Sequence, residues 1–210
     1  MNKDFNFKVK RKRPEELYSN VFEYFNHENV VKYAKSKSLM RIQEKIVIRA
    51  LELLDLQERR SFILDAGSGP GFAAIYLNEI GMKTIALDLI KDFLTYYDLR
   101  DLNPIVADMC YLPFKPETFD GIISISALQW VIRDLDKQST KRNIINLAKT
   151  CYLILKPHSK AIFQFYPKNH QIMKTLGNIF INNTSFKGHY VIDNPEIPKK
   201  RKMYLTLIKE

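Results

Sequence analysis

Cysteine is scarce: Cys110 and Cys151 are the only two in 210 residues. That excludes a disulfide framework and a cysteine-built zinc cluster. Both read as small buried apolar side chains in a reducing compartment, which places the chain in the cytoplasm. Long apolar runs are also missing. The longest without a charge, Gly121 to Ile132, is too short to span a bilayer. The charged N-terminus lacks the apolar segment of a signal peptide, so no membrane role is expected. The four histidines, His27, His158, His170 and His189, show no metal-ligand spacing and read as surface residues. No metal site is expected. Glycine is sparse, at seven residues, yet three of them fall at alternate positions between Gly67 and Gly71.

What the chain does have is positive charge, +10 at neutral pH. Basic excess favours polyanionic partners such as RNA. It gathers in two runs, Lys8 with Lys10, Arg11, Lys12 and Arg13, and then Lys199, Lys200, Arg201 and Lys202. Residues 1–20 read as an irregular basic N-terminal arm ending near Pro14, and 21–210 as a single domain. Either run could also be a solvated segment that only aids solubility.

Along the domain, strands alternate with helices. Helical patterning covers 40–56 through Ile42, Ile46, Ile48, Leu51, Leu53 and Leu54, then 71–80, 91–98, 138–155 and 169–181. Short apolar runs predict strands at 61–65, 83–88, 104–108, 119–126 and 160–166. Two more, 189–193 and 203–208, have no helix between them and should pair antiparallel. This order predicts a Rossmann-like α/β fold: a mostly parallel seven-stranded sheet, helices on both faces, an antiparallel last strand. Such sheets bind ligands beyond the carboxyl ends of their strands.

Chemistry-bearing residues sit at those ends. After the first strand comes Asp65-Ala66-Gly67-Ser68-Gly69-Pro70-Gly71. Glycines let the backbone turn sharply and approach a ligand, and the following helix aims its N-terminal amides at the same place. Pyrophosphate sites use the looser Gly-x-Gly-x-x-Gly, and Asp65 would repel a diphosphate. A ligand carrying an ammonium and a sulfonium suits that carboxylate. Asp88, about 20 residues on and closing the second strand, can accept both hydroxyls of a ribose, or cap the next helix. Asp108, after the third strand, can accept from an adenine amino group while Met109 and Leu89 pack the ring. Three acids at three successive strand ends, with the glycine turn, point to S-adenosyl-L-methionine as cofactor and to methyl transfer.

These motifs resemble the class I S-adenosylmethionine-dependent methyltransferases. More narrowly, the chain is similar to the enzymes that methylate guanine N7 in small-subunit ribosomal RNA. The resemblance is carried by Arg13-Pro14-Glu15, Lys32-Tyr33, Ile42-Gln43, Arg49 to Leu54, Phe119-Asp120, Ser124 to Trp130 and Gln164 to Asn169. It runs from about Arg13 to Ile208. It adds Tyr33 and Ser126 to the donor site that holds Asp65, Gly67, Gly69, Gly71, Asp88, Leu89, Asp108 and Met109. Where the family has an arginine after its Lys-Tyr, this chain has Ser38. If that arginine grips the donor carboxylate, its role passes to Lys35, Lys37 or Arg41, or is lost. Ser68 and Pro70 also depart from the family's usual Cys and Ser. The resemblance implies two partners: the precursor of the small ribosomal subunit, and a small zinc-containing activator subunit pairing with a sheet edge near Ile105 and Val106.

Guanine N7 has a free lone pair at neutral pH, so no catalytic acid or base is expected and alignment does the work. Gln129, Trp130, Phe165, Tyr166 and Pro167 are the residues expected to position the acceptor, with the base stacked on Trp130 and Gln129 reading an edge. Trp130 and Phe165 could equally be core packing. Cytosine carbon-5 chemistry would need a cysteine after the fourth strand, and Cys110 follows the third. Two other functions use the same motifs: a small-molecule methyltransferase, and a non-catalytic ribosome-assembly factor that binds RNA.

Overall fold

The computed structural model describes residues 7, 12–56, 60–96 and 104–210. Most of the basic arm, 1–6 and 8–11, lies outside them. Four helices precede the first strand: α1 (Pro14–Leu17), α2 (Val21–Tyr24), α3 (His27–Ala34) and α4 (Lys37–Leu54). Then follow β1 (Phe62–Ala66), α5 (Phe72–Glu79), β2 (Lys83–Asp88), a 3-10 helix over Lys91–Tyr96 and β3 (Ile105–Val106). The chain continues through β4 (Phe119–Ile125), α6 (Leu128–Val131), α7 (Gln138–Ile154), β5 (Leu155–Phe165), α8 (His170–Asn183), β6 (Phe186–Asp193) and β7 (Lys202–Lys209).

The strands form one seven-stranded sheet in the order β3-β2-β1-β4-β5-β7-β6. Pairing is parallel from β3 through β5, and β7 runs antiparallel to both β5 and β6. The expected fold class is the observed one. Alternation along the strands feeds two cores. Leu64, Ile122 and Phe163 face α7 and α8. Ile63, Ile123 and Ile162 face α4 and α5, meeting Ile46, Val47, Ala50 and Leu77. Helices therefore cover both faces. Among the described residues, no helix is long and apolar enough to cross a membrane. Cys110 and Cys151 are buried and unpaired, and burial pushes both thiols up, away from thiolate chemistry.

Several boundaries differ from the sequence expectation. Residues 13–17 are not irregular arm: they include α1, Glu15 is buried, and Arg13 donates to the Tyr166 carbonyl at 2.7 Å. The domain therefore begins well before residue 21. Of the 91–98 helix, Lys91–Tyr96 is 3-10 and 97–98 lie outside the described residues; the third strand is two residues long, and β5 starts at Leu155. Ile42 and Ile48, counted toward the core, are exposed; the buried face of α4 is Gln43, Ile46, Val47, Ala50 and Leu54. Helices α2, α3 and α6 have no counterpart in the sequence reading. Side-chain caps start several of them: Asn20 accepts from Glu23, Asn26 from Asn29, Ser36 from Leu39 and Asn169 from Ile172.

Candidate active site

The carboxyl ends of β1, β2, β3 and β4 converge on one pocket. Its floor is the glycine turn. Gly67 holds φ +80°, and a Cβ there would lie 2.3 Å from the Ala127 Cβ, so only glycine lets the β1 turn pass under the β4 turn. The Gly67 and Ser68 amides donate to the Leu87 carbonyl at 2.7 and 3.0 Å. Asp88 completes the tie: its Oδ2 accepts from the Gly69 amide and its Oδ1 from the Ile90 amide, both at 2.7 Å. The second bond closes a turn just before the 3-10 helix, so Asp88 orders the chain leading into that helix without capping it.

Asp65 is the electrostatic centre. It is 1% exposed, lines the pocket, and its carboxyl has no close hydrogen-bond partner among the described residues, the Ala74 amide alone favouring its charged form. Burial, with the Asp88 charge nearby, pushes its carboxyl up to about 8. Burial also raises Asp88, against the backbone amides that favour its charged form. Two buried acids side by side, one without a close partner, make a site that a cationic ligand would stabilise.

Tyr33, Leu89, Asp108, Met109 and Ser126 all line the same pocket as Asp65, Gly67, Gly69 and Asp88. Asp108 Oδ1 accepts from the Cys110 amide at 2.8 Å, which fixes the carboxylate. Gly71 does not line the pocket. It sits at the N-cap of α5 with φ +87°, where its value is the backbone turn itself. Gln43 was given no role from the sequence, yet it joins the site from α4. Its Nε2 donates to the Tyr33 hydroxyl at 3.3 Å and to Ser126 Oγ at 3.4 Å. A polar residue on the buried face of an amphipathic helix is the signal that could have found it. Desolvation pushes the Tyr33 hydroxyl up to about 12. Lys35, Lys37 and Arg41 are exposed and none of them lines the pocket.

Val21, Phe25 and Tyr33 close over the pocket from α2 and α3, packing with Val30 on Ile90 and Phe93. The enclosed space is only about 130 Å³.

A second cavity, of about 410 Å³, opens beside it. The two share Phe25, Tyr33, Ser126 and Trp130. Ser126 is the hinge between them, with φ +56°, its hydroxyl donating to Gln164 Oε1 at 2.8 Å. Trp130 is half-buried and stacks on Tyr24 at 5.6 Å. Gln129 and Tyr166 line this outer cavity, with Arg13, Lys199 and Lys202 on its rim. Tyr166 lies between two cations: Arg13 at 5.1 Å and Lys202 at 5.2 Å from the ring centre. Pro167 is buried on a smaller neighbouring cavity. Phe165 corrects the sequence reading: it is fully buried, packs in the α7–α8 core and reaches neither cavity. Strand alternation sends it to the face opposite Gln164.

A family model described as a methyltransferase domain matches residues 64–163. The 18S rRNA (guanine(1575)-N(7))-methyltransferase of Saccharomyces cerevisiae is 37% identical over 190 residues, 88% of this chain and 68% of that protein. The 18S rRNA (guanine-N(7))-methyltransferase of Mus musculus is 33% identical over 202 residues, 93% of this chain and 71% of that protein. This chain belongs to the 18S rRNA guanine-N7 methyltransferase family. Solved methyltransferases share its fold at low identity. One is a putative S-adenosylmethionine-dependent methyltransferase of Methanococcus maripaludis, with TM-score 0.65, 12% identity, 96% of this chain and 97% of that one. Another is the magnesium protoporphyrin IX methyltransferase of Synechocystis, with TM-score 0.64, 14% identity, 97% of this chain and all of that one.

Proposed function

We propose that this protein transfers a methyl group from S-adenosylmethionine to N7 of a guanine in small-subunit ribosomal RNA, as a step of ribosome biogenesis. The observation that carries the reading is the pair of joined cavities: one centred on the buried carboxylate of Asp65, the other rimmed by cations. Bound in the inner one, S-adenosylmethionine supplies an electrophilic methyl on a positively charged sulfur. Asp65 faces the ammonium and offsets positive charge. Asp88 presents lone pairs to the ribose hydroxyls. Asp108 accepts from the adenine amine, and Met109 and Leu89 pack the ring. Ser126, Tyr33 and Trp130 form the passage through which the acceptor nitrogen approaches. Guanine N7 gives up no proton, so the chain needs to orient the base and exclude water, not to titrate.

Trp130 and Tyr166 hold the base, Gln129 lies at its edge, and Arg13, Lys199 and Lys202 meet backbone phosphates. An open, cationic rim fits a polyanion better than a small neutral acceptor. The zinc-containing activator subunit belongs to the same reading. β3 is an edge strand with Val106 exposed, and an edge with unpaired backbone groups accepts a partner strand. The buried reduced thiols fit a cytoplasmic setting. Mapping N7-methylguanosine on small-subunit ribosomal RNA from cells with and without the protein tests the reading. One guanine should lose its mark when the protein is absent; an unchanged methylation map would refute it.

A further inference from the structure

Glu15 is a buried acid that methyl-donor binding does not use. It sits in the first turn of α1, within a run of charged residues, yet it is only 5% exposed. It lines the outer cavity together with Gln129 and Tyr166 and is absent from the lining of the donor pocket. Its carboxylate forms no ion pair with a described residue. Arg13, whose charge favours the ionised acid, donates from Nη1 to the Tyr166 carbonyl and lies over the Tyr166 ring. Burial raises the Glu15 carboxyl, opposed first by a hydrogen bond from its own backbone amide and then by the charges of Arg13 and Lys168. Beside it, Gln129 Nε2 donates to the Ser126 carbonyl at 2.7 Å, which fixes the amide and leaves Oε1 buried without a partner. One wall of the acceptor cavity thus offers Gln129 Oε1, which has no partner among the described residues, beside a buried carboxylate that forms no ion pair with them. Buried acceptors of this kind destabilise a fold unless a ligand satisfies them.

We propose that Glu15, with Gln129 Oε1 beside it, reads the Watson–Crick edge of the target guanine by accepting from N1–H and the exocyclic 2-amine. The inference rests on the methyltransferase reading above. Its geometry follows from the purine: N7 lies on one side of the ring system and the N1 and 2-amine donors on the other. The acceptor cavity meets the donor pocket along Phe25, Tyr33, Ser126 and Trp130. A guanine with N7 toward that passage turns its donors away from it, and Glu15 lines the outer cavity but not the donor pocket. Adenine presents a lone pair at N1 and no amine at carbon-2, so the carboxylate repels it. Charge adds a second effect. Methylation leaves the base cationic, which makes N1–H a stronger donor. The bond to Glu15 therefore tightens as the methyl transfers, and an interaction stronger in the transition state raises the rate itself.

The test is single-turnover methyl transfer, at saturating donor and RNA, to a small-subunit ribosomal RNA fragment carrying guanine or inosine at the mapped target. Inosine lacks only the 2-amine. Wild type should methylate inosine roughly tenfold more slowly. Glu15→Gln should slow guanine by about tenfold or more with donor affinity unchanged, and should bring the guanine-to-inosine ratio near one. Glu15→Asp, which keeps the charge but withdraws it, should give an intermediate ratio. Equal rates on both bases for wild type overturn the inference without any variant. So does a Glu15→Gln protein that keeps the full ratio. In both cases N7 methylation by wild type still stands, so the function survives. Failure of wild type to methylate any guanine N7 removes the function and the inference together.

Discussion

The Gly69 amide donates to Asp88 Oδ2 at 2.7 Å, so the acid that ends β2 holds the turn that ends β1. Floor and wall of the donor pocket are one hydrogen-bonded unit. Asp88 is therefore both ligand and scaffold, and its replacement should show both. Asp88→Ala should lower S-adenosylmethionine affinity by at least roughly tenfold, since charge-assisted bonds are worth about 1.5–3 kcal/mol each. It should also lower the melting temperature, which Asp88→Asn, still able to accept from Gly69, should largely restore. Calorimetry and thermal melts separate the two. Unchanged affinity in the Ala variant would leave Asp88 as a turn anchor alone.

Asp65 makes stability and binding oppose each other. Its folded carboxyl is raised to about 8, far above that of an unfolded aspartate. The stability tied to its proton is fully present in acid and is lost as pH rises from about 4 toward 8, because only the unfolded chain ionises in that window. Asp65→Asn should therefore stabilise the unliganded protein at pH 8 by on the order of 1–3 kcal/mol, seen as a higher melting temperature, and change little near pH 4. The same variant should bind the donor more weakly, having lost the charge that faces its ammonium. In wild type at neutral pH, donor binding should release a proton, seen as a binding enthalpy that varies with the buffer. A variant no more stable than wild type at pH 8 would mean that Asp65 is not an uncompensated buried acid.

The glycine turn was legible because strand, glycines and acid lie next to one another in the chain. The N-terminal helices were not. α2 is four residues long, and α3 is held by Val30 packing on Ile90 and Phe93, a contact that no local pattern announces. Glu15 looks like a solvated charge in sequence, and only the packing of α1 near Tyr166 buries it. Phe165 was misplaced for a reason visible in the chain. Consecutive strand residues point to opposite faces, so Phe165 and Tyr166 could not both reach one rim. Gln43 was quoted within a motif, but the apolar count along α4 favoured Ile42 and Ile48, which proved exposed.

Gly67 and Gly69 should differ. An alanine at 67 drives its Cβ against Ala127, whereas one at 69 meets nothing within 4 Å; both carry positive φ. Strain at such positions costs about 1–3 kcal/mol. Gly67→Ala should bear that cost plus the collision, melting lower than Gly69→Ala and losing donor binding. Equal melting temperatures would show that the β4 turn yields easily and that close approach is not what selects glycine.

Trp130 stacks on Tyr24 and stands where the two cavities meet. Trp130→Ala should cost on the order of 1–3 kcal/mol in transfer to RNA if the target base stacks there, as at single-stranded sites. Donor affinity should change far less. A large drop in melting temperature with no separate loss toward RNA would instead assign Trp130 to holding α2 in place.

The central claim is that alignment alone carries a methyl to guanine N7. Its most direct measurement is single-turnover transfer of labelled methyl to small-subunit ribosomal RNA at saturating donor, with the proposed activator subunit added and the product nucleoside identified. The account predicts N7-methylguanosine, formed at a rate nearly flat between about pH 6.5 and 8.5, since no proton leaves the acceptor. Label on another atom, or a rate climbing about tenfold per pH unit as for an acceptor that must first lose a proton, would contradict it.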